Sequence, residues 1–406
     1  MKQLFAHEMK KIFSNRLFLF LLLFLLFVDG LYIYKTYDAY RDPYNKDASE
    51  AQWEIYKTVE GEITAEKVNA LTAMIDRLEA DNAESGSGLD PSMVGDNAGE
   101  TESGYYYSAF WDLTVARNLF DKLSDAYYYS RDMETLLAEN KALLALYREK
   151  GNTALVKQAE LIAESYSGRA ITAYYDTETY GSYFAYDFSS FLILLLVFLL
   201  TAALYAGETE SGMRYLLRST PGGRLRLVAA KQCAMAVSVT VICLLFFVCD
   251  FLMFLWCVRL RGGGNPLYSI AAFSETPLHL SIGGFALLLA TLKWMGFLCF
   301  GQIGCLFSSL FDKSFLVFTA DLLLCFALML MSTYGGGILE SLNLLNPLQL
   351  LIGREMFTTF RVVDLFGMPV FRYTVCLVCC IGLWLLLLGA TAALNNAGMK
   401  RRRRSA

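Results

Sequence analysis

Charge is scarce in this chain of 406 residues. Only 18% of it is Asp, Glu, Lys or Arg, and 55% is apolar, against about 25% charged in ordinary soluble domains. That shortage excludes a string of soluble domains. It is also uneven. Residues 35–184 hold 14 Lys and Arg against 27 Asp and Glu, a net −13, and the remainder carries +9 of the overall −4. An acidic, water-compatible segment therefore sits within a basic, apolar frame. Cysteine is missing from that segment: all ten lie between Cys233 and Cys380, in apolar runs. No disulfide framework can hold the polar part. Histidine is nearly absent, with His7 and His279 far apart, so no His cluster suggests a metal. No G-x-x-x-x-G-K-[ST] phosphate loop, G-x-S-x-G elbow or H-E-x-x-H pair occurs. ATP binding of that kind and the commoner hydrolytic chemistries are excluded.

What is present is a set of long uncharged runs. A hydrocarbon core ~30 Å thick needs about 20 mostly apolar residues as helix, and six runs qualify: Leu17–Tyr34, Phe188–Tyr205, Ala234–Val258, Ile282–Phe307, Phe315–Met331 and Thr374–Leu394. Helices satisfy their own backbone in lipid, and the alternating segments of a barrel are missing. The expected fold is an all-α polytopic membrane protein with six transmembrane helices. Lys2, Lys10, Lys11 and Arg16 precede the first span. Arg214, Arg218, Arg224, Arg226 and Lys231 separate spans two and three, and Lys400–Arg404 follow span six. With six spans these clusters share one side, which places both termini in the cytoplasm and residues 35–184 outside the cell membrane. The flank of span one has no small-x-small cleavage site, so it reads as an anchor.

The expected organisation follows. Residues 1–16 form a cytoplasmic interfacial helix, with Leu4, Phe5, Met9, Ile12 and Phe13 on one face and Lys2, Gln3, Lys10 and Lys11 on the other. Span one covers 17–34, and a mostly helical extracellular domain covers 35–184. Leu71, Met74, Ile75 and Leu78 repeat at helical spacing, a third helix begins near Asn152–Thr153, and the Gly- and Ser-rich stretch 84–104 reads as a mobile loop. Span two covers 185–206, a cytoplasmic loop 207–231, spans three to six 232–394 with an external re-entrant segment at 334–372, and a basic tail 395–406. The tail suits anionic lipid head groups at ~1 kcal/mol per basic residue, so a bilayer rather than a nucleic acid is its expected partner. Tyr105–Tyr107, Tyr127–Tyr129 and Tyr174–Tyr175 suit helix packing or contact with a substrate or partner.

The loop carries the most information. In AGETESGMRYLLRSTPGGRLRLVAAK, residues 206–231, a short amphipathic helix is expected before a Pro221-Gly222-Gly223 break, with a second basic helix entering span three. Glu208 and Glu210 are expected near the start of that short helix, at its positive end. Arg214 and Arg218, four apart, share a face. The positions Glu208, Gly212, Leu216, Leu217, Ser219, Thr220, Pro221, Arg224 and Lys231 resemble the loop between spans two and three of the type-2 ABC exporter permease family. The N-terminal interfacial helix, the tight turn at Cys305–Ser314 and the segment Leu342–Leu351 are similar to that family as well. The chain departs from the pattern in its Gly222–Gly223 pair, where one residue is common. The resemblance implies a permease subunit without its own cofactor, paired with a second permease as homodimer or with a paralogue. A separate ABC-type ATPase would bind the ATP and dock on this loop. Arg214, Arg218 and Arg224 would be charged contacts, with Glu208, Gly212, Pro221 and Lys231 completing the ATPase-coupling element. The rival reading is a non-transporting receptor or assembly factor with the extracellular helices as sensor.

Asp29, Asp250, Lys293 and Asp321 fall inside apolar runs, where an ionisable group is costly. At ~1.5 Å per residue, Asp29 lies ~18 Å above the inner end of its span and Lys293 ~17 Å below the outer end of span four. A pair of Lys293 with Asp29 or Asp250 is therefore geometrically possible; a functional site stands against the plainer reading of a packing ion pair or a snorkelling lysine.

Overall fold

The computed structural model describes residues 2–37, 54–84, 103–212, 223–334, 341–365 and 367–397. The expected mobile loop 84–104 and the basic tail 395–406 lie almost entirely outside these residues. The chain divides into two compact units. The first comprises Met1–Lys35, Gly181–Trp256 and Gly283–Ala406, and the second Thr36–Tyr180 and Cys257–Ile282.

Unit one contains the helices long and apolar enough to cross a membrane, six among the described residues. The protein is an all-α polytopic membrane protein. A short helix, Lys2–Phe13, leads into span one, Arg16–Tyr37. Span two is Phe188–Glu210 and span three Gly223–Cys257, the latter continuous with the basic stretch before it. Spans four, five and six are Ile282–Leu310, Ser314–Tyr334 and Arg372–Ala397. Their apolar residues run round the whole circumference, as expected of helices that face lipid on one side and protein on the other. Span two is the most enclosed. Ile193, Leu196, Val197 and Leu200 pack with Leu22 and Leu25 of span one, Met235, Val239 and Phe246 of span three, and Phe297 and Phe300 of span four. Spans five and six leave Phe315, Leu323, Phe326 and Leu386 exposed, a surface suited to hydrocarbon.

Helix packing in lipid lacks a hydrophobic drive and relies on close approach at small residues. Gly304 of span four sits where a Cβ would collide with the Thr201 hydroxyl of span two and lie 3.0 Å from Asp321 Oδ2 of span five. Between spans five and six, the Asn343 and Asn346 amides donate to the Met331 and Leu328 carbonyls near the end of span five, at 3.1 and 3.0 Å. Leu348, Leu350 and Leu351 are buried behind them. A hairpin, Val362–Leu365 with Met368–Phe371, then leads into span six.

Unit two is built on helices Ala65–Glu84, Ser103–Glu149 and Thr153–Tyr166, packed in sequence order. Leu71, Ala116 and Leu123 form its core with Ile55, Tyr56, Val59 and Tyr174. The Asn152 side chain accepts from Leu155 N at 3.2 Å, the cap its sequence position predicts. Residues 257–282 also belong to this unit, which the sequence reading assigned to 35–184 alone. Buried Arg169 holds them: it donates to Ser165 O and Thr276 O at 3.0 and 2.6 Å, and its guanidinium lies 4.3 and 4.8 Å from the Tyr166 and Tyr268 ring centroids. The Asn265 amide adds a bond to Ala173 O at 2.9 Å.

Gly304→Ala should lower stability by about 1–3 kcal/mol, because the new methyl carbon would lie 2.8 Å from Thr201 Cβ, which no change of rotamer moves. Denaturation of the purified protein in detergent measures this; an unchanged midpoint would mean that spans two and four separate easily.

Candidate functional site

Glu208 and Lys231 flank the loop whose sequence drew attention, and unit one brings them together in a buried ion cluster. Lys231 is fully buried. Its ammonium lies 2.5 Å from Glu208 Oε1, 3.1 Å from the Glu8 carboxylate and 2.9 Å from Leu204 O. The Tyr205 ring centroid is 5.5 Å away. Lys11 approaches Glu208 Oε1 at 3.2 Å from the more exposed side. Two carboxylates thus face two ammonium groups, and three hydrogen bonds fill the donor capacity of Lys231. The cluster joins the N-terminal helix, the end of span two and the start of span three.

Glu8 was missed in the sequence although a signal existed. It falls four residues from Leu4 and from Ile12, on the apolar stripe, where an unpaired acid would be costly. A buried partner was needed, and Lys231 supplies it.

The expected short helix beginning near Glu208 and Glu210 is not what forms. Nothing in TAALYAGETE interrupts a helix, so span two runs on to Glu210, and both acids sit in its last turn. That is the negative end of the dipole, where carboxylates are disfavoured. Lys231 and Lys11 offset this for Glu208. Glu210 instead accepts from Ser314 N and Oγ at 2.9 and 3.2 Å, serving the positive end of span five. The helix stops at Gly212, whose φ of +70° is left-handed. Met213–Gly222, and with them Arg214, Arg218 and Pro221, lie outside the described residues, as does the Arg224 side chain.

The intramembrane charges form a second polar layer in unit one. Asp29 is fully buried and accepts from the Tyr186 hydroxyl. Asp250, also buried, lies beside Asp29 and Ser189. Lys293 bonds neither: its ammonium donates to Asp187 Oδ1 at 2.9 Å and Tyr186 O at 3.2 Å. Of the two partners that depth along the helix allowed, neither is used, and the lysine reaches outward instead. Asp187 stands just before span two, and a long flexible Lys side chain reaches such an edge at less desolvation cost than a partner deeper in the bundle. Asp321 is buried separately, with neither oxygen given a donor among the described residues. Cys376 and Cys379 have C-x-x-C spacing in span six, but no group of three metal-ligating side chains exists among the described residues.

The model of the ABC-2 family transporter proteins matches residues 104–393, more than two thirds of the chain. The protein belongs to that family. No curated protein matches the sequence. The ABC-2 match takes in spans two to six and both polar layers except for the residues that the N-terminal helix and span one contribute. It makes the chain a membrane-embedded transport subunit, a permease.

In this permease, Lys231→Met would leave Glu8 and Glu208 buried without their principal counter-charge. Stability should fall by about 3–5 kcal/mol. The triple variant Glu8→Gln, Lys231→Met, Glu208→Gln removes all three charges and should recover most of that loss. Equal losses for the single and triple variants, read from denaturation in detergent, would show that packing and not charge governs the site.

Proposed function

We propose that this permease is the membrane-spanning subunit of an ATP-driven exporter, coupled to a separate ABC-type ATPase through the segment between spans two and three. The observation that carries the reading is the Lys231–Glu208–Glu8 cluster. It binds the two helix ends that bracket Met213–Gly222 to each other and to the N-terminal helix. A push on that segment cannot move one helix end alone, because separating the charges would strand them in a buried site. Glu210 extends the linkage to span five through Ser314. Closure of two ATPase subunits around ATP would therefore reach spans two, three and five together. The ATP would be held by the partner, and a second permease, identical or a paralogue, would complete the pathway.

The same reading places both termini and residues 207–231 in the cytoplasm and unit two outside. It rests on the excess of Lys and Arg before span one, between spans two and three, and after span six. Arg214, Arg218 and Arg224 would meet acidic groups of the ATPase, where a planar guanidinium binds a carboxylate through two hydrogen bonds.

Affinity purification of the tagged protein from its native host, followed by mass spectrometry, tests this. An ABC-type ATPase should accompany the wild type and be lost from an Arg214→Ala, Arg218→Ala, Arg224→Ala variant that keeps its melting temperature. Recovery of no ATPase with the wild type would refute the proposal, and undiminished recovery with the variant would remove the arginines from the interface.

A further inference from the structure

The hairpin that precedes span six has two chemically different faces. Cross-strand partners share a face and successive residues alternate between faces. Val363 with Val370 and Leu365 with Met368 therefore occupy one face, and all four are apolar. Val362 with Phe371 and Asp364 with Pro369 occupy the other. The apolar face is open toward its tip, where Leu365 is 37% and Met368 58% exposed. A two-stranded hairpin is marginal by itself in water, and this one keeps its apolar end uncovered.

The other face is tied to the helices. Phe371 stacks on Tyr373 of span six with centroids 5.4 Å apart and meets Phe360 at 5.5 Å. Tyr373 packs on Phe357 at 5.0 Å, and buried Phe357 packs on Phe285, in the first turn of span four, at 5.4 Å. The root of the hairpin is thus held at the ends of spans four and six, and its apolar face turns away from them. The strand Met368–Phe371 runs without a break into span six, and Arg372 N donates to Arg361 O at 3.1 Å to close the base. Four residues at ~3.3 Å each keep the tip within ~13 Å of the end of the span. The head-group layer is ~5–8 Å deep on each side of the hydrocarbon, so a face turned from the bundle at this level meets lipid. Unpaired strand edges forbid burial in the hydrocarbon itself. Exposed Asp364, whose carboxylate accepts from Gly367 N at 2.7 Å, keeps the second face in water.

We propose that this hairpin lies flat on the bilayer, with Leu365 and Met368 at the boundary between head groups and acyl chains. The partner is the phospholipid leaflet in which spans four and six end. Burial of the two side chains removes apolar surface from water. The hairpin then anchors span six at a fixed depth, the role that interfacial side chains play for other spans. The inference holds for either orientation of the chain across the membrane and does not depend on the ATPase.

Photo-cross-linking tests this, with p-benzoylphenylalanine replacing Met368 in the full-length protein reconstituted into phosphatidylcholine–phosphatidylglycerol vesicles. Irradiation should add the mass of one phospholipid, in a yield comparable to that from the same group at Leu386 on the exposed surface of span six. At Pro369, the neighbour on the opposite face, the yield should fall several-fold. Leu365 shares the face of Met368 and takes its place if that variant does not fold. No lipid adduct from the apolar face, a covalent permease dimer instead of one, or equal yields from the two faces would overturn the proposal.

Discussion

An ammonium group taken out of water needs a counter-charge at contact distance, and Lys231 has two. The constraint reaches far because its three members come from distant parts of the chain: Glu8 from the N-terminal helix, Glu208 from the end of span two, Lys231 from the start of span three. Each alone would be a severe liability. Together they fix where the N-terminal helix lies and bring the helix ends around Gly212–Gly222 close. The Lys11 contact at the same carboxylate is half exposed and contributes little by comparison. What holds the cluster is geometry and the exclusion of water, not the number of charges.

The same economy governs the rest of unit one. Apolar side chains cannot tell one helix from another when the solvent is as apolar as they are, so specificity comes from polar contacts and small residues. Tyr186 with Asp29 and Lys293 with Asp187 tie spans one and four to the residues that lead into span two, and Gly304 lies against Thr201 where spans two, four and five meet. The Asn343 and Asn346 amides settle the carbonyls near the end of span five. Unit two uses a different device. It has no cysteine to staple it, and it ties residues 257–282 to its helices through Arg169, Asn265 and stacked tyrosines.

The spans were legible because a helix in hydrocarbon needs only length and lack of charge. Observed and expected limits differ by a few residues, except at span three, where the basic stretch from Gly223 continues the helix. The Asn152 cap was also legible, being a local matter of one side chain and one backbone amide. The dipole assignment of Glu208 and Glu210 failed: whether span two stops at Ala206 or at Gly212 depends on a glycine's left-handed conformation and on counter-charges from elsewhere. Lys293 with Asp187 was missed for a similar reason, since counting rise along a helix gives depth but not azimuth.

By itself, then, the sequence determined that this is a six-span membrane protein with an acidic polar insertion, and that residues 206–231 are its most distinctive loop. Those are properties of composition and short-range order, which the solvent enforces one segment at a time. Only the tertiary structure decided that Glu8 meets Lys231 across 223 positions and that residues 257–282 complete unit two. Such pairings depend on which faces of separate helices turn toward one another. That is set by the sum of many packing contacts, and no local pattern encodes it.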